Sequence, residues 1–189
     1  MTPILGIMAS GMSGNLWAPG KDYDSIATVT VSTAVSSISF TSIPATYKHL
    51  QLRILGRGTN PNTECQFVYQ FNGDTGSNYT FHLLRGSGAA AFADAGTSQT
   101  FTQATVRYAA GTAAANMFGA GISDILDYSN TNKYKTVRSI GGTDQNGSGN
   151  LYYSSNLWLN TAAISSILVF NQDGNNLAQY SSFALYGIK

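Results

Sequence analysis

The strongest constraint on this chain is a period of two. In Lys48–Leu55 the residues Leu50, Leu52 and Ile54 alternate with His49, Gln51 and Arg53, and alternation of that kind puts one set of side chains on each face of a strand. Runs like it recur about every 8–15 residues from Ser25 to Ile188, which is the spacing of an all-β domain. A chain so patterned folds into antiparallel sheets with one face packed and the other bare.

The remaining runs follow the same logic. Ser25–Val31 precedes Ser36–Ile43, where Ile38 and Phe40 alternate with serines and Pro44 ends the strand. Cys65–Phe71 points Cys65, Phe67, Tyr69 and Phe71 inward, and Asn78–Leu84 does so with Tyr79, Phe81 and Leu83. Asn72–Gly76 between them holds residues that tolerate positive φ, which predicts a hairpin. Further strands are expected at Phe101–Tyr108, Met117–Tyr128, Tyr134–Ile140, Leu151–Leu159, Ile164–Phe170 and Gln179–Ile188, with turns at Ser129–Asn132 and Asp173–Gly174. Gly119 and Gly121 suggest a bend or bulge. Two aperiodic stretches, 85–100 and 141–150, read as surface loops. The expected architecture is an all-β, jelly-roll-like antiparallel sandwich over 25–189, preceded by an extended arm at 1–24.

Charge narrows the function. Only 10% of the residues are charged, against about 25% in an average soluble domain, so solubility rests on hydroxyls, amides and glycine. The net charge of +1 is spread thinly, without a basic stripe, and nucleic acid is not an expected partner. The single Cys65 excludes an internal disulfide. No apolar run approaches the roughly 18 residues of a spanning helix, and the N-terminal apolar run lacks the preceding basic residues of a signal peptide. A soluble protein made in a cytoplasm is expected.

Side chains that carry chemistry are few. Nucleophilic catalysis needs a base beside the nucleophile; the two imidazoles, His49 and His82, fall on strands, and Cys65 falls on an inward face. Asp124 and Asp127 are three apart, which sets them on opposite faces of a regular strand and against the facing pair that glycoside hydrolysis needs. Asp144–Asn150 superficially resembles a calcium loop, but Gly147 stands at its fourth position and no closing Glu follows. The reading is therefore non-enzymatic, with no metal and no cofactor.

Contact residues are the better candidates. Ile4, Leu5, Ile7, Met8, Leu16 and Trp17 make an apolar arm that cannot bury itself; it is either a frayed tail or a docking segment laid on a partner subunit. Tyr152, Asn156 and Trp158 share the face opposite Leu151, Leu157 and Leu159. That face would line a glycan groove, with rings stacking on sugars and amides bonding hydroxyls, or else form the core or a subunit contact.

Three segments carry a resemblance. ILGIMASGMSG running into YDSIATVTV, SSISFTSIPATYKHLQLRILGR followed by FNGDTGSNYTFHLL, and DILDYSNTNKYKTVRSIGG through LWLNTAAISSILVF to AQYSSFALYGIK resemble a family of small virion structural proteins of tailed bacteriophages. The resemblance spans nearly the whole chain. It implies a non-enzymatic β-sandwich located on the virion, in tail fibres, fibre tips or capsid decorations. It also implies trimers docked to other virion proteins by an N-terminal stretch, with the loops at 85–100 and 141–150 facing the host. The leading expectation is a tail-fibre or adhesin-like protein that contacts a host-surface glycan; the alternative is capsid decoration, as cement or head fibre.

Overall fold

The computed structural model describes residues 22–189, and of residues 103–105 the backbone alone. Twelve strands make up the described fold: β1 (Tyr23–Thr30), β2 (Ser37–Phe40), β3 (His49–Gly56), β4 (Glu64–Phe71), β5 (Tyr79–Gly86), β6 (Ala91–Gln99), β7 (Thr102–Ala109), β8 (Gly119–Leu126), β9 (Lys135–Asp144), β10 (Gly149–Trp158), β11 (Ile167–Asn171) and β12 (Ser182–Ile188). They form two antiparallel sheets, one of eight strands in the order β1-β12-β3-β8-β9-β10-β5-β6 and one of four in the order β2-β11-β4-β7.

The inward sets read from the alternation meet between the sheets. Leu50, Leu52 and Ile54 of β3, Phe67, Tyr69 and Phe71 of β4, Ile125 of β8, Val137 of β9 and Phe183 and Leu185 of β12 are all buried in one cluster. Phe67 stacks on Tyr108, with ring centroids 4.4 Å apart. At the other end Phe71, Tyr79 and Trp158 pack ring against ring.

β7 determines the shape of the domain. It contacts β8, β9, β10 and β5, so the large sheet curls around that edge of the small one and covers both faces of β7. The approach is close because the facing positions are small. A Cβ on Gly121 would lie 2.7 Å from the Tyr108 hydroxyl and 2.8 Å from Val106, and one on Gly141 would lie 2.2 Å from the Ala120 carbonyl. Beside these glycines the Tyr69 hydroxyl bonds Ser123, which bonds Ser139, so these three buried hydroxyls satisfy one another.

Five expectations are corrected. Residues 85–100 are not one loop: Ala91–Gln99 is β6, paired with β5 at the sheet edge. It was hidden because an edge strand exposed on both faces has no alternation to detect, and β6 is exposed almost throughout. Residues 141–150 extend β9 and start β10, leaving only a short turn closed by Gln145 N–H on the Ser148 carbonyl. The turn at Asn72–Gly76 exists, with Asn72 and Gly73 at φ 53° and 69°, yet β4 and β5 belong to different sheets. It is a crossover and not a hairpin. Gly121 sits in regular register with both neighbouring strands and Gly119 with Gly56 of β3; they accommodate β7 and make no bulge. Finally, β1 begins at Tyr23, so Tyr23 and Asp24 of the expected arm belong to the sheet, while Ile4, Leu5, Ile7, Met8, Leu16 and Trp17 lie outside the described residues.

Candidate functional site

The catalytic candidates resolve into structural roles. Cys65 is buried with its thiol against the carbonyls of Tyr108 and Ala109, and burial pushes its pKa up to about 12. A thiol so protonated is no nucleophile near neutral pH. His49 Nδ1 accepts a 2.9 Å hydrogen bond from the Asp127 backbone N–H. A nitrogen that accepts cannot also donate, so its 3.6 Å approach to the Asp127 carboxylate is not an ion pair through that atom. Asp127 instead pairs with Lys133, which holds its carboxyl below the usual value, and Asp124 accepts from Gln51 at 2.8 Å. The two aspartates thus serve separate partners. Asp144 accepts from the Asn146 N–H within its turn, and no group of three or more His, Cys, Asp or Glu placed to hold a metal occurs among the described residues.

Tyr152, Asn156 and Trp158 lie on the inner face of β10. Their exposures are 3%, 1% and 1%, so that face looks inward: Trp158 joins the buried cluster, and Tyr152 borders a cavity. The Trp158 indole reaches across the domain end to donate to Asp74 at 2.8 Å. The leucines and tyrosine of the other parity face out, with Leu151 at 61% and Tyr153 at 49%.

That outward parity builds a continuous feature. Antiparallel register aligns Leu84 of β5, Tyr153 of β10, Ile140 of β9 and Ile122 of β8 directly opposite one another, and all four are exposed. Leu55 and Leu151 flank this row. The next row is polar, running His82, Ser155, Arg138, Asp124, Gln51. His82 borders an open hollow of about 600 Å³ with Leu84, Ala93, Ala95, Tyr153 and Ser155. Scattered exposed apolar residues are ordinary, whereas these four form one continuous apolar row across four strands.

A second site lies under the curl of the large sheet. Gln66 and Arg107 are cross-strand partners on β4 and β7, facing away from Phe67 and Tyr108. They meet Phe81 and Arg85 of β5, Phe92 and Asp94 of β6 and Tyr152 of β10 around a half-enclosed cavity of about 270 Å³. The Arg85 guanidinium lies 4.2 Å from the Phe92 ring centroid, and its Nη1 is 3.3 Å from the Tyr152 hydroxyl. The Nε atoms of Arg85 and Arg107 and the Nε2 of Gln66 are buried without hydrogen-bond partners among the described residues. A buried donor left unpaired costs about 1–3 kcal/mol, and native structures hold few of them.

None of the cavity residues except Tyr152 was a candidate from sequence. Parity makes Gln66 and Arg107 outward residues of their strands, and it is the curl of the other sheet that covers them. Arg85 carried the one available signal, since it shares the inward parity of Phe81 and Leu83. No protein-family model matches the chain, and no curated protein matches it either.

Proposed function

We propose that this chain is a non-enzymatic structural protein of a tailed-phage virion, tail-fibre or adhesin-like, that assembles with copies of itself as a trimer and with neighbouring virion proteins. The observation that carries this reading is the exposed row Leu84–Tyr153–Ile140–Ile122 on the eight-stranded sheet. Such a row is covered in an assembly and is a liability on a lone soluble domain. The scarcity of charge agrees with it, because charged residues are depleted at the centre of interfaces.

The winding of the chain supports a jelly-roll reading of the sandwich. β2, β4, β7 and β11 lie in the small sheet, while β3, β5–β6, β8–β10 and β12 lie in the large one, so the chain crosses between sheets at each of those steps. Jelly rolls occur in viral capsid and lectin domains. Fold alone does not assign function, so the weight rests on the contact row and on the three segments that resemble virion proteins.

Immunogold labelling of purified particles with an antibody to the full chain tests the proposal. Label at the tail is the expected result. Label over the head would replace it with capsid decoration, and particles free of the protein would reject a virion role altogether.

A further inference from the structure

We propose that the cavity between β4, β5, β6, β7 and β10 binds the carboxylate of an acidic sugar. Two guanidiniums and one carboxamide converge there, and three of their N–H groups, Arg85 Nε, Arg107 Nε and Gln66 Nε2, are buried and unpaired. Gln66 is only 7% exposed, so its amide relies on whatever occupies the cavity for a partner. Neither arginine has a carboxylate within ion-pair distance among the described residues. The charge balance of the cavity, two cations and Asp94, is positive and calls for an anion.

The geometry selects the kind of anion. Guanidinium groups bind carboxylates through paired N–H bonds of fixed direction, and two of them at one cavity fix its orientation. Phe81, Phe92 and Tyr152 supply apolar faces beside those donors, which is how a sugar ring is held by its C–H side. The Tyr152 hydroxyl and the Asp94 carboxylate of the lining accept from ring hydroxyls, a use that an inorganic anion has no need of. Small-molecule pockets run from about 300 to 1,000 Å³. A cavity of about 270 Å³ is at the lower limit, fit for one terminal ring such as a hexuronate and not for the interior of a chain.

The site stands on the cavity itself; its use in contacting a host glycan rests on the attachment role proposed above. The test is titration of the full chain with galacturonate, galactose and inorganic phosphate, followed by NMR of the arginine Nε–H signals and by calorimetry. Galacturonate is expected to shift the Arg85 and Arg107 signals, and to bind at least tenfold more tightly than galactose or phosphate. Arg85→Gln and Phe92→Ala, the latter at a half-exposed ring outside the buried cluster, are each expected to weaken galacturonate at least fivefold with the melting temperature unchanged. Unmoved arginine signals would overturn the site, and phosphate binding as tightly as galacturonate would overturn its assignment to a sugar. Binding that leaves particle adsorption indifferent to free galacturonate would keep the site and remove the attachment role.

Discussion

The Trp158 indole Nε1 donates a 2.8 Å hydrogen bond to the carboxylate of Asp74, which ties the last residue of β10 to the crossover from β4 to β5. Asp74 also accepts from Gly76 N–H and from the Asn78 side chain, and the Tyr79 hydroxyl donates to its carbonyl. One aspartate therefore anchors the crossover where the chain changes sheets.

Trp158→Phe keeps a ring in the Phe71–Tyr79 cluster and deletes this donor. Hydrogen bonds to charged groups contribute about 1.5–3 kcal/mol, so a loss of about 2 kcal/mol is expected in urea unfolding, with the m-value unchanged. The acid limb changes too. Partial burial raises the Asp74 pKa, but the bonds from Trp158, Asn78 and Gly76 outweigh it and hold the carboxyl below its ordinary value. A carboxyl lowered in the folded state stabilises above the unfolded value of about 3.9, and that contribution disappears as pH falls through the folded value. Thermal unfolding of Asp74→Asn is expected to be less steeply acid-dependent than that of the native chain.

Lys135 offers a larger effect. Its side chain is fully buried, and its ammonium donates to the carbonyls of Asn130, Lys133 and Thr161 at 2.6, 2.8 and 2.9 Å. It clamps the β8–β9 connection to the segment after β10. Lys135→Met fills a similar volume but leaves three carbonyls without their donor. A loss of about 3 kcal/mol or more is expected, read as a lowered midpoint in urea. Little change would mean that water replaces the ammonium there.

Alkaline stability is governed by groups that burial keeps protonated. Burial raises Tyr79 to about 12 and Cys65 to about 12, and it raises Tyr108 well above its ordinary value. A raised folded pKa gives stability that is complete below the unfolded value and is lost as pH climbs through the folded one. Unfolding is thus expected to set in between about pH 9 and pH 12, the window bounded by the unfolded thiol and tyrosine values and the folded ones. Tyrosinate absorbance should appear together with loss of sheet circular dichroism. In the native protein near neutral pH, Cys65 should resist a thiol reagent until denaturant is added.

The close approach of β7 is testable at Gly141. An alanine methyl there meets the Ala120 carbonyl at 2.2 Å and Val106 at 3.0 Å, and the first of these is backbone that cannot rotate away. Overpacking costs about 1–3 kcal/mol; Gly141→Ala should reach the upper part of that range in urea unfolding. Ser148→Ala, in the adjoining turn where only the Ser148 backbone carbonyl is used, should leave stability unchanged.

Alternation made eleven of the twelve strands legible, because a face buried against a partner sheet leaves its period in the sequence. Leu50, Leu52 and Ile54 needed nothing more. The edge strand β6 left no period, since water lies on both of its faces. The cavity was illegible for a different reason: the inward or outward sense of Gln66 and Arg107 depends on how far the other sheet wraps, a property of the whole domain that no local window contains. Tyr152, Asn156 and Trp158 were correctly grouped on one face, and which face looked inward was decided by their partners across the core. The row Leu84–Tyr153–Ile140–Ile122 was equally hidden, because it exists only once four strands are placed in register.

That row yields the most direct test of assembly. Ile140 and Leu84 are 51% and 60% exposed and take no part in the buried cluster, so Ile140→Lys and Leu84→Lys are expected to fold with melting temperatures within a degree or two of the native chain, as surface substitutions do at about ±0.5 kcal/mol. Lysines placed at the centre of a subunit contact bring unpaired charge into a surface that must lose its water. If the face joins copies of the chain, sedimentation should show an oligomer for the native protein and a monomer for the double variant. Ser39→Lys, on the exposed side of β2 in the other sheet, serves as the control and should sediment as the native protein does. An oligomer that survives both lysines would move the contact to another surface, and a native protein that sediments as a monomer would leave the row to a partner of different sequence.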